Sequence, residues 1–150
     1  MPLTDDQIRL LSRATEDWTG LYEAVWELRT GQPRLADTEL LRRAKNALSE
    51  LVRRNLVYIC RLQSRPATEE EATRYAADAG FSSESRRWQT PVETPVAPDT
   101  VDAVLQDDRS YGPEGEERGG HYCFAATANG QAAYRQLQWD STGQKLVDPG

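Results

Sequence analysis

The chain has 150 residues, 38% of them hydrophobic, and a formal net charge of −6. A chain of this length normally forms one domain with a buried core. It has no 18-residue apolar run and no apolar segment at the N-terminus, so we expect no membrane span and no secretory signal. Two cysteines are too few for the disulfide framework of a secreted protein, so we expect a soluble, cytoplasmic protein.

The charge is spread unevenly along the chain. Residues 1–65 carry a net charge of +2, whereas residues 63–119 hold six basic and thirteen acidic side chains. Sixteen of the 18 basic residues are arginines, a preference typical of GC-rich bacterial genomes and therefore weak evidence for phosphate binding. We expect a bacterial protein in which only the first half can supply the basic surface of a nucleic-acid-binding protein.

Two helices are predicted at the start of the chain. Thr4 and Gln7 form a capping-box pattern that begins a helix over about 4–15. Asp17 or Thr19 begins a second helix, and its broad apolar arc predicts burial against several elements. A Thr-Gly-Gln-Pro stretch ends it.

A third helix leads directly into a strand. Asp37 or Thr38 begins the helix, its apolar residues form one stripe, and Asn55 suits a left-handed C-cap. Residues 56–62 are apolar on both faces and rich in β-forming side chains, which predicts a buried strand.

The acidic stretch over 63–119 contains short predicted elements, and the chain regains a regular pattern after it. A helix is predicted over 68–79. The three prolines in 91–98 predict an extended connector.

The carboxyl-terminal part of the chain is predicted to contain a short helix, a loop, a strand and a long helix. Asp99 or Thr100 opens the short helix, and residues 112–120 form a flexible acidic loop. Residues 121–127 predict the strand, and Thr127 begins the last helix.

The predicted elements follow the order found in a winged helix-turn-helix domain, which has three helices, a strand, and a second strand that leads into a helix. The stretch ALSELVRRNLVYICRL (47–62) resembles the junction between the third helix and the wing of such domains. The stretch FAATANGQAAYRQL (124–137) resembles the second wing strand and the T-x-x-G helix start of MarR- and PadR-like regulators. It keeps Thr127 and Gly130 and lacks the leucine that usually precedes the threonine.

The resemblance covers about 1–62 and 120–138. It implies a single α+β, winged-helix-like domain with a three-helix core, a two-stranded wing and a C-terminal helix. Residues 63–119 are then an acidic insertion between the two wing strands. Their net charge of −7 would lie where the family is expected to contact phosphate.

The outer side of the third helix is the predicted DNA contact, because in a winged helix this side enters the major groove. Placing residues at 100° intervals separates the apolar stripe from a polar set on the opposite side. An ordinary solvated face is the alternative, since Glu39 and Glu50 lie at its edge. The candidate DNA-binding residues are Thr38, Arg42, Lys45, Asn46, Ser49 and Arg53.

Cys60 and Cys123 fall on the two strands that are expected to pair. As neighbours they could form a redox-sensitive bridge, or they could be small buried hydrophobic residues. His121 is the only histidine and shares a strand face with Cys123. Without CxxC or HxxxH spacing we expect no metal site.

Sequence signatures of catalysis are absent from the chain. It has no G-x-S-x-G, Walker or G-x-G-x-x-G motif, so we expect a protein that is not an enzyme and needs no cofactor. Carboxylates that come together only in three dimensions keep an enzyme open as a weaker alternative.

Five of the nine aromatic residues outside the predicted strands are candidates for packing or interface contacts. Trp18, Tyr22 and Trp26 recur every four residues, which predicts a core or dimer contact, and the resemblance implies a homodimer through the first and last helices. Trp88 and Tyr111 lie in the acidic insertion. We expect them to hold the insertion against the domain or to act as interface anchors.

The leading hypothesis is a small DNA-binding transcriptional regulator whose partner is duplex DNA. The alternative is a non-catalytic protein-binding module, of inhibitor, immunity or adaptor type, whose acidic insertion holds a basic protein. The position of the insertion distinguishes the two. Folded away from the third helix it leaves a basic face free, whereas draped across that helix it repels phosphate.

Overall fold

The computed structural model describes residues 2–63, 67–70, 92–112 and 120–147 and shows an α+β protein. The elements before the acidic insertion are α1 (Asp5–Glu16), β1 (Thr19–Gly20), α2 (Leu21–Gly31), α3 (Asp37–Arg53) and β2 (Val57–Gln63). Those after Gln63 are β3 (Val92–Pro95), α4 (Val101–Gln106), β4 (Gly120–Ala126) and α5 (Ala128–Val147). Two 3-10 turns, Pro98–Thr100 and Asp108–Tyr111, flank α4.

The first helix begins as the sequence predicts, and the second begins later. The Thr4 hydroxyl accepts a hydrogen bond from the Gln7 amide at 3.2 Å, and the Gln7 side chain accepts one from the Thr4 amide at 3.1 Å. The predicted second start at Asp17 or Thr19 is wrong, because Thr19 is in β1. Trp18 therefore lies ahead of α2 and does not share its face.

The third helix ends at the predicted left-handed residue. Asn55 has a φ of 58° and is the one residue other than glycine with positive φ among the described residues. Its amide donates to the carbonyl of Val52, and the Leu56 amide donates to that of Leu51. These bonds satisfy helix-end carbonyls and turn the chain into β2.

Substitution of Asn55 tests this turn. We expect Asn55→Ala to lower the free energy of unfolding by about 1 kcal/mol, because a Cβ-bearing residue without a short polar group is strained at positive φ. Asn55→Gly should leave stability unchanged or raise it. Urea unfolding followed by circular dichroism measures both, and equal losses in the two variants would contradict the role of φ.

The described strands form one antiparallel sheet in the order β1-β4-β2-β3. β2 and β4, the two strands predicted to pair, do so from Val57 opposite Ala126 to Gln63 opposite Gly120. The predicted two-stranded wing is too small, since β1 adds to one edge of this pair and β3 to the other.

Strand β3 corrects the prediction of a proline-rich connector over 91–98. Val92–Pro95 pairs antiparallel with β2, from Gln63 opposite Val92 to Cys60 opposite Pro95. Pro95 is tolerated because β3 is the edge strand, where a missing amide donor breaks no central ladder. Local composition favoured an extended chain, and pairing with β2 made it a strand.

The acidic insertion contributes to the main hydrophobic core. Leu105 of α4 is fully buried and Tyr111 nearly so, in one cluster with residues of α1, α2, α3 and the sheet. The predicted helix start is present in part, with Glu69 and Glu70 helical. The rest of that helix, Trp88 and the acidic loop over 113–119 lie outside the described residues.

The last helix begins at Thr127, as predicted. The Gly130 amide donates to the Thr127 hydroxyl at 2.9 Å, and that hydroxyl donates to the Asn55 carbonyl at 2.6 Å. The Thr127 amide donates to the Leu56 carbonyl at 3.0 Å. The T-x-x-G pattern therefore joins α5 to the turn that follows α3.

Candidate functional site

The six predicted DNA-binding residues all lie on the side of α3 away from the core, as the helical pattern predicted. The buried residues of this helix are Leu40, Ala44, Ala47, Leu48 and Leu51. On the outer side Lys45 and Ser49 are half-buried. Those that are exposed are Thr38, Arg42, Asn46 and Arg53.

Both exposed arginines are paired with glutamates of their own helix. Arg42 Nε donates to a Glu39 carboxylate oxygen at 2.9 Å, and Arg53 Nε donates to Glu50 at 2.9 Å. Glu50 also accepts from Arg54 at 2.9 Å. Hydrogen bonds from the arginines lower the pKa of both glutamates, so these acids stay charged and offset the arginines.

Lys45 is held by the acidic insertion. Its ammonium group donates to the Gln106 carbonyl at 3.0 Å and forms an ion pair with Asp108. Only 16% of its side chain is exposed, against 73% for Asp108. The sequence predicted a cation facing DNA, but an approaching molecule meets the carboxylate first.

Helix α4 lies along one flank of the outer face of α3. The Gln106 side chain approaches the Ser49 hydroxyl at 3.4 Å. A shallow groove of about 380 Å³ between the two helices is lined by Asp102 of α4 and by Asn46 and Arg53 of α3. The insertion is thus draped across part of the face that the DNA-binding hypothesis requires to be free.

The described part of the insertion is strongly acidic. Over 67–70 and 92–112 it carries seven carboxylates and a single arginine, Arg109. Asp107 accepts hydrogen bonds from the Arg109 guanidinium at 3.0 and 3.1 Å, which lower the pKa of that carboxyl. Asp102 and Asp108 are exposed beside α3, so the outer face of this helix is not a basic surface.

A second surface feature was missed by sequence reasoning. Trp26 was expected in a core or dimer contact, and it is not a core residue, since 60% of its surface is exposed. It lines a groove of about 530 Å³ together with Tyr111 of the insertion. The sequence pattern around this tryptophan is that of a core residue. Its exposure depends on how the acidic insertion packs beside it, which the local sequence does not show.

The two cysteines are cross-strand neighbours, as predicted, since Cys60 lies directly opposite Cys123 in the β2–β4 pair. Both are buried and free. Burial raises the pKa of the Cys60 thiol well above its usual range and that of Cys123 to about 12. A reactive cysteine needs an accessible thiolate, so we expect this pair to stay reduced although its register suits a bridge.

Thiol labelling tests this conclusion. At pH 8 we expect a disulfide reagent to label native Cys60 and Cys123 roughly a hundredfold more slowly than the guanidinium-unfolded chain, because neither thiolate is populated or accessible. Absorbance of the released thiol measures the rates. Equal rates in native and unfolded protein would restore the redox interpretation.

Other kinds of site find little support in the part of the chain that the structure describes. No group of three or more His, Cys, Asp or Glu side chains is arranged there to hold a metal ion. No helix described here combines the length and apolar character needed to cross a membrane.

Comparisons with protein-family models, curated proteins and solved structures find no match to this chain. The function is therefore argued from the site itself.

Proposed function

We propose that this chain is a non-catalytic protein-binding module built on a winged-helix frame, with a basic protein as its partner. The observation that carries the proposal is the contact of α4 and Asp108 with the outer face of α3. This contact buries Lys45 and places carboxylates where a DNA-binding protein needs cations.

The element order supports the winged-helix frame. Three helices precede β2, and β4 returns along β2 into the long helix α5. Thr127 and Gly130 make the contacts that a compact strand-to-helix turn requires. Each feature agrees with what the resemblance implies for the fold.

The geometry of α3 and α4 opposes groove insertion. The major groove is about 12 Å wide, and one helix with its side chains is about 10–12 Å across. A helix packed on the flank of α3 would meet the phosphate backbone as α3 entered. Asp102 of α4 and Asp108 in the following turn would then face phosphates and repel them.

The acidic charge of the insertion supports a basic protein as partner. Asp99 and Asp102 are exposed, and neither forms an ion pair with another described residue. Unpaired surface carboxylates steer a basic partner toward its docking surface and raise the association rate.

DNA recognition by α3 is the second candidate function, and one observation favours it. Arg42, Asn46 and Arg53 are exposed on a single side of the helix. Exposed Arg–Glu pairs of this kind contribute little stability, so phosphates can compete with Glu39 and Glu50 for the arginines.

Fluorescence anisotropy with duplex DNA distinguishes the two candidates. We expect the purified protein to bind both its own upstream DNA and a random duplex no more tightly than about 10⁻⁴ M, even at low salt, where phosphate attraction is strongest. Tighter binding that is lost in Arg42→Ala/Arg53→Ala but kept in the matched control Arg34→Ala/Arg135→Ala would overturn the proposal.

A capture experiment tests the positive side of the proposal. We expect the immobilised chain to retain a basic protein from a lysate of its own host. The retained protein is then purified, and its affinity for the chain is measured. We expect Asp99→Lys/Asp102→Lys to weaken binding at least tenfold, with Asp5→Lys/Glu16→Lys on α1 as the charge-matched control. Equal affinity of both variants would contradict a role for the insertion.

A further inference from the structure

The groove beside Trp26 is built jointly by the helical frame and the acidic insertion. Tyr22, Val25 and Trp26 come from α2 and Leu41 from α3, while the far wall is Tyr111 in the 3-10 turn after α4. Its volume is about 530 Å³. We refer to this surface as the Trp26 groove.

The aromatic walls of the groove are held in place. The rings of Tyr22 and Trp26 meet edge to face, with centroids 5.5 Å apart and planes at 85°. Tyr111 is 7% exposed, and its hydroxyl donates to the Leu105 carbonyl at 2.8 Å. A ligand therefore meets preformed walls, which lowers the entropy cost of binding.

The rim of the groove presents negative charge outward. Asp37 and Asp108 have side chains that are 83% and 73% exposed. Asp37 is ion-paired with Arg29, which also lines the groove, and Asp108 with Lys45. Both cations are less accessible, at 42% and 16% exposed. The two carboxylates are thus the charges that an incoming group meets first.

We propose that the Trp26 groove binds an arginine or lysine side chain carried by a segment of the partner protein. This inference rests on the proposed function, since it names the surface and the chemistry by which that partner docks. A long basic side chain has an apolar stem and a charged head. The stem fits the floor formed by Val25 and Leu41, and the head reaches the rim carboxylates.

The aromatic walls add to this recognition. A cation over the face of a tryptophan or tyrosine ring is attracted by the ring quadrupole, and tryptophan is the most favourable of the aromatic residues. The exposed face of Trp26 is available to a guanidinium, which also forms paired hydrogen bonds to carboxylates such as Asp37. Exposed tryptophans of this kind commonly dominate binding energy at interfaces.

Peptide selection on the full-length chain tests the proposal. The probe is a phage-displayed library of random dodecapeptides, selected in parallel on the original protein, on Trp26→Ala and on Trp139→Ala. Trp139 is 67% exposed on α5, so it matches Trp26 in residue type and exposure, and neither substitution empties a core site. We expect an arginine- or lysine-containing consensus on the original protein and on Trp139→Ala that is lost on Trp26→Ala.

Binding of one selected peptide then locates the contact. We expect at least a tenfold loss of affinity in Trp26→Ala, less than twofold in Trp139→Ala, and a loss of severalfold when citrulline replaces the arginine of the peptide. Asp37→Asn and Asp108→Asn should each weaken binding and reduce its salt dependence. The nitrogen-15 signal of the Trp26 indole should shift during the titration.

Each other outcome overturns the inference in a distinguishable way. Acidic or neutral peptides, or basic peptides that bind Trp26→Ala equally well, would exclude the groove. Basic peptides that shift the amides of α4 instead would exclude the groove while leaving the proposed protein-binding function intact. Duplex DNA binding through α3, with no peptide selected at all, would overturn both.

Discussion

Gly130→Ala is expected to lower the free energy of unfolding by about 2–3 kcal/mol, in the range of overpacked sites. A Cβ added at this position would lie 1.9 Å from the backbone carbonyl oxygen of Leu56. That oxygen belongs to the turn between α3 and β2 and accepts a hydrogen bond from Thr127. The clash is with backbone rather than with the end of a flexible side chain, so α5 or the turn must shift.

Urea unfolding and thermal melting by circular dichroism measure this cost. We expect a fall in Tm of roughly 5–10 °C for a chain of this size. The matched control is Gly31→Ala at the end of α2, where the three atoms nearest to an added Cβ all belong to the movable guanidinium of Arg9. Alanine also has the better helix propensity, so Gly31→Ala should be neutral or stabilising. Equal losses at both positions would show that the contact with Leu56 does not matter.

Leu105→Ala is expected to cost about 3 kcal/mol, within the range for buried leucines. Leu105 is fully buried in the cluster that also contains Tyr111 and residues of α3. Truncation removes apolar contact and leaves a cavity beneath α4. The Leu105 carbonyl also accepts the Tyr111 hydroxyl hydrogen bond, so movement of α4 would loosen that contact as well.

Ala103→Ser on the exposed side of the same helix is the control and should change stability by less than about 0.5 kcal/mol. Urea unfolding of both variants, followed by circular dichroism and by tryptophan fluorescence, gives the comparison. A loss of less than 1 kcal/mol in Leu105→Ala would mean that α4 is only loosely attached and that the outer face of α3 is often uncovered. That result would favour DNA recognition.

The insertion has a different part in the molecule from the one that its composition suggests. Its charge indicates a solvated appendage, but it supplies a sheet strand, a core leucine and the turn that holds Lys45. The same turn completes the Trp26 groove. Stability and the proposed binding surface therefore both depend on how the insertion packs against the frame.

Local features of this protein were determined by its sequence alone. The capping box at Thr4, the left-handed turn at Asn55 and the helix start at Thr127 each depend on residues close in the chain or on backbone geometry. The apolar stripe of α3 followed from hydrophobic periodicity, because burial of one face selects one arrangement. The pairing of β2 with β4 was expected from the winged-helix resemblance.

Tertiary structure alone decided where the acidic insertion lies. The pairing of β3 with β2, the ion pair between Lys45 and Asp108, and the exposure of Trp26 join or separate residues that are distant in the chain. The local sequence of β3 suited an extended connector, that of Lys45 suited an unpaired cation, and that of Trp26 suited a core residue. Packing of Leu105 and Tyr111 against the helical core selected the outcome, since burial of apolar surface depends on the whole fold rather than on neighbouring residues.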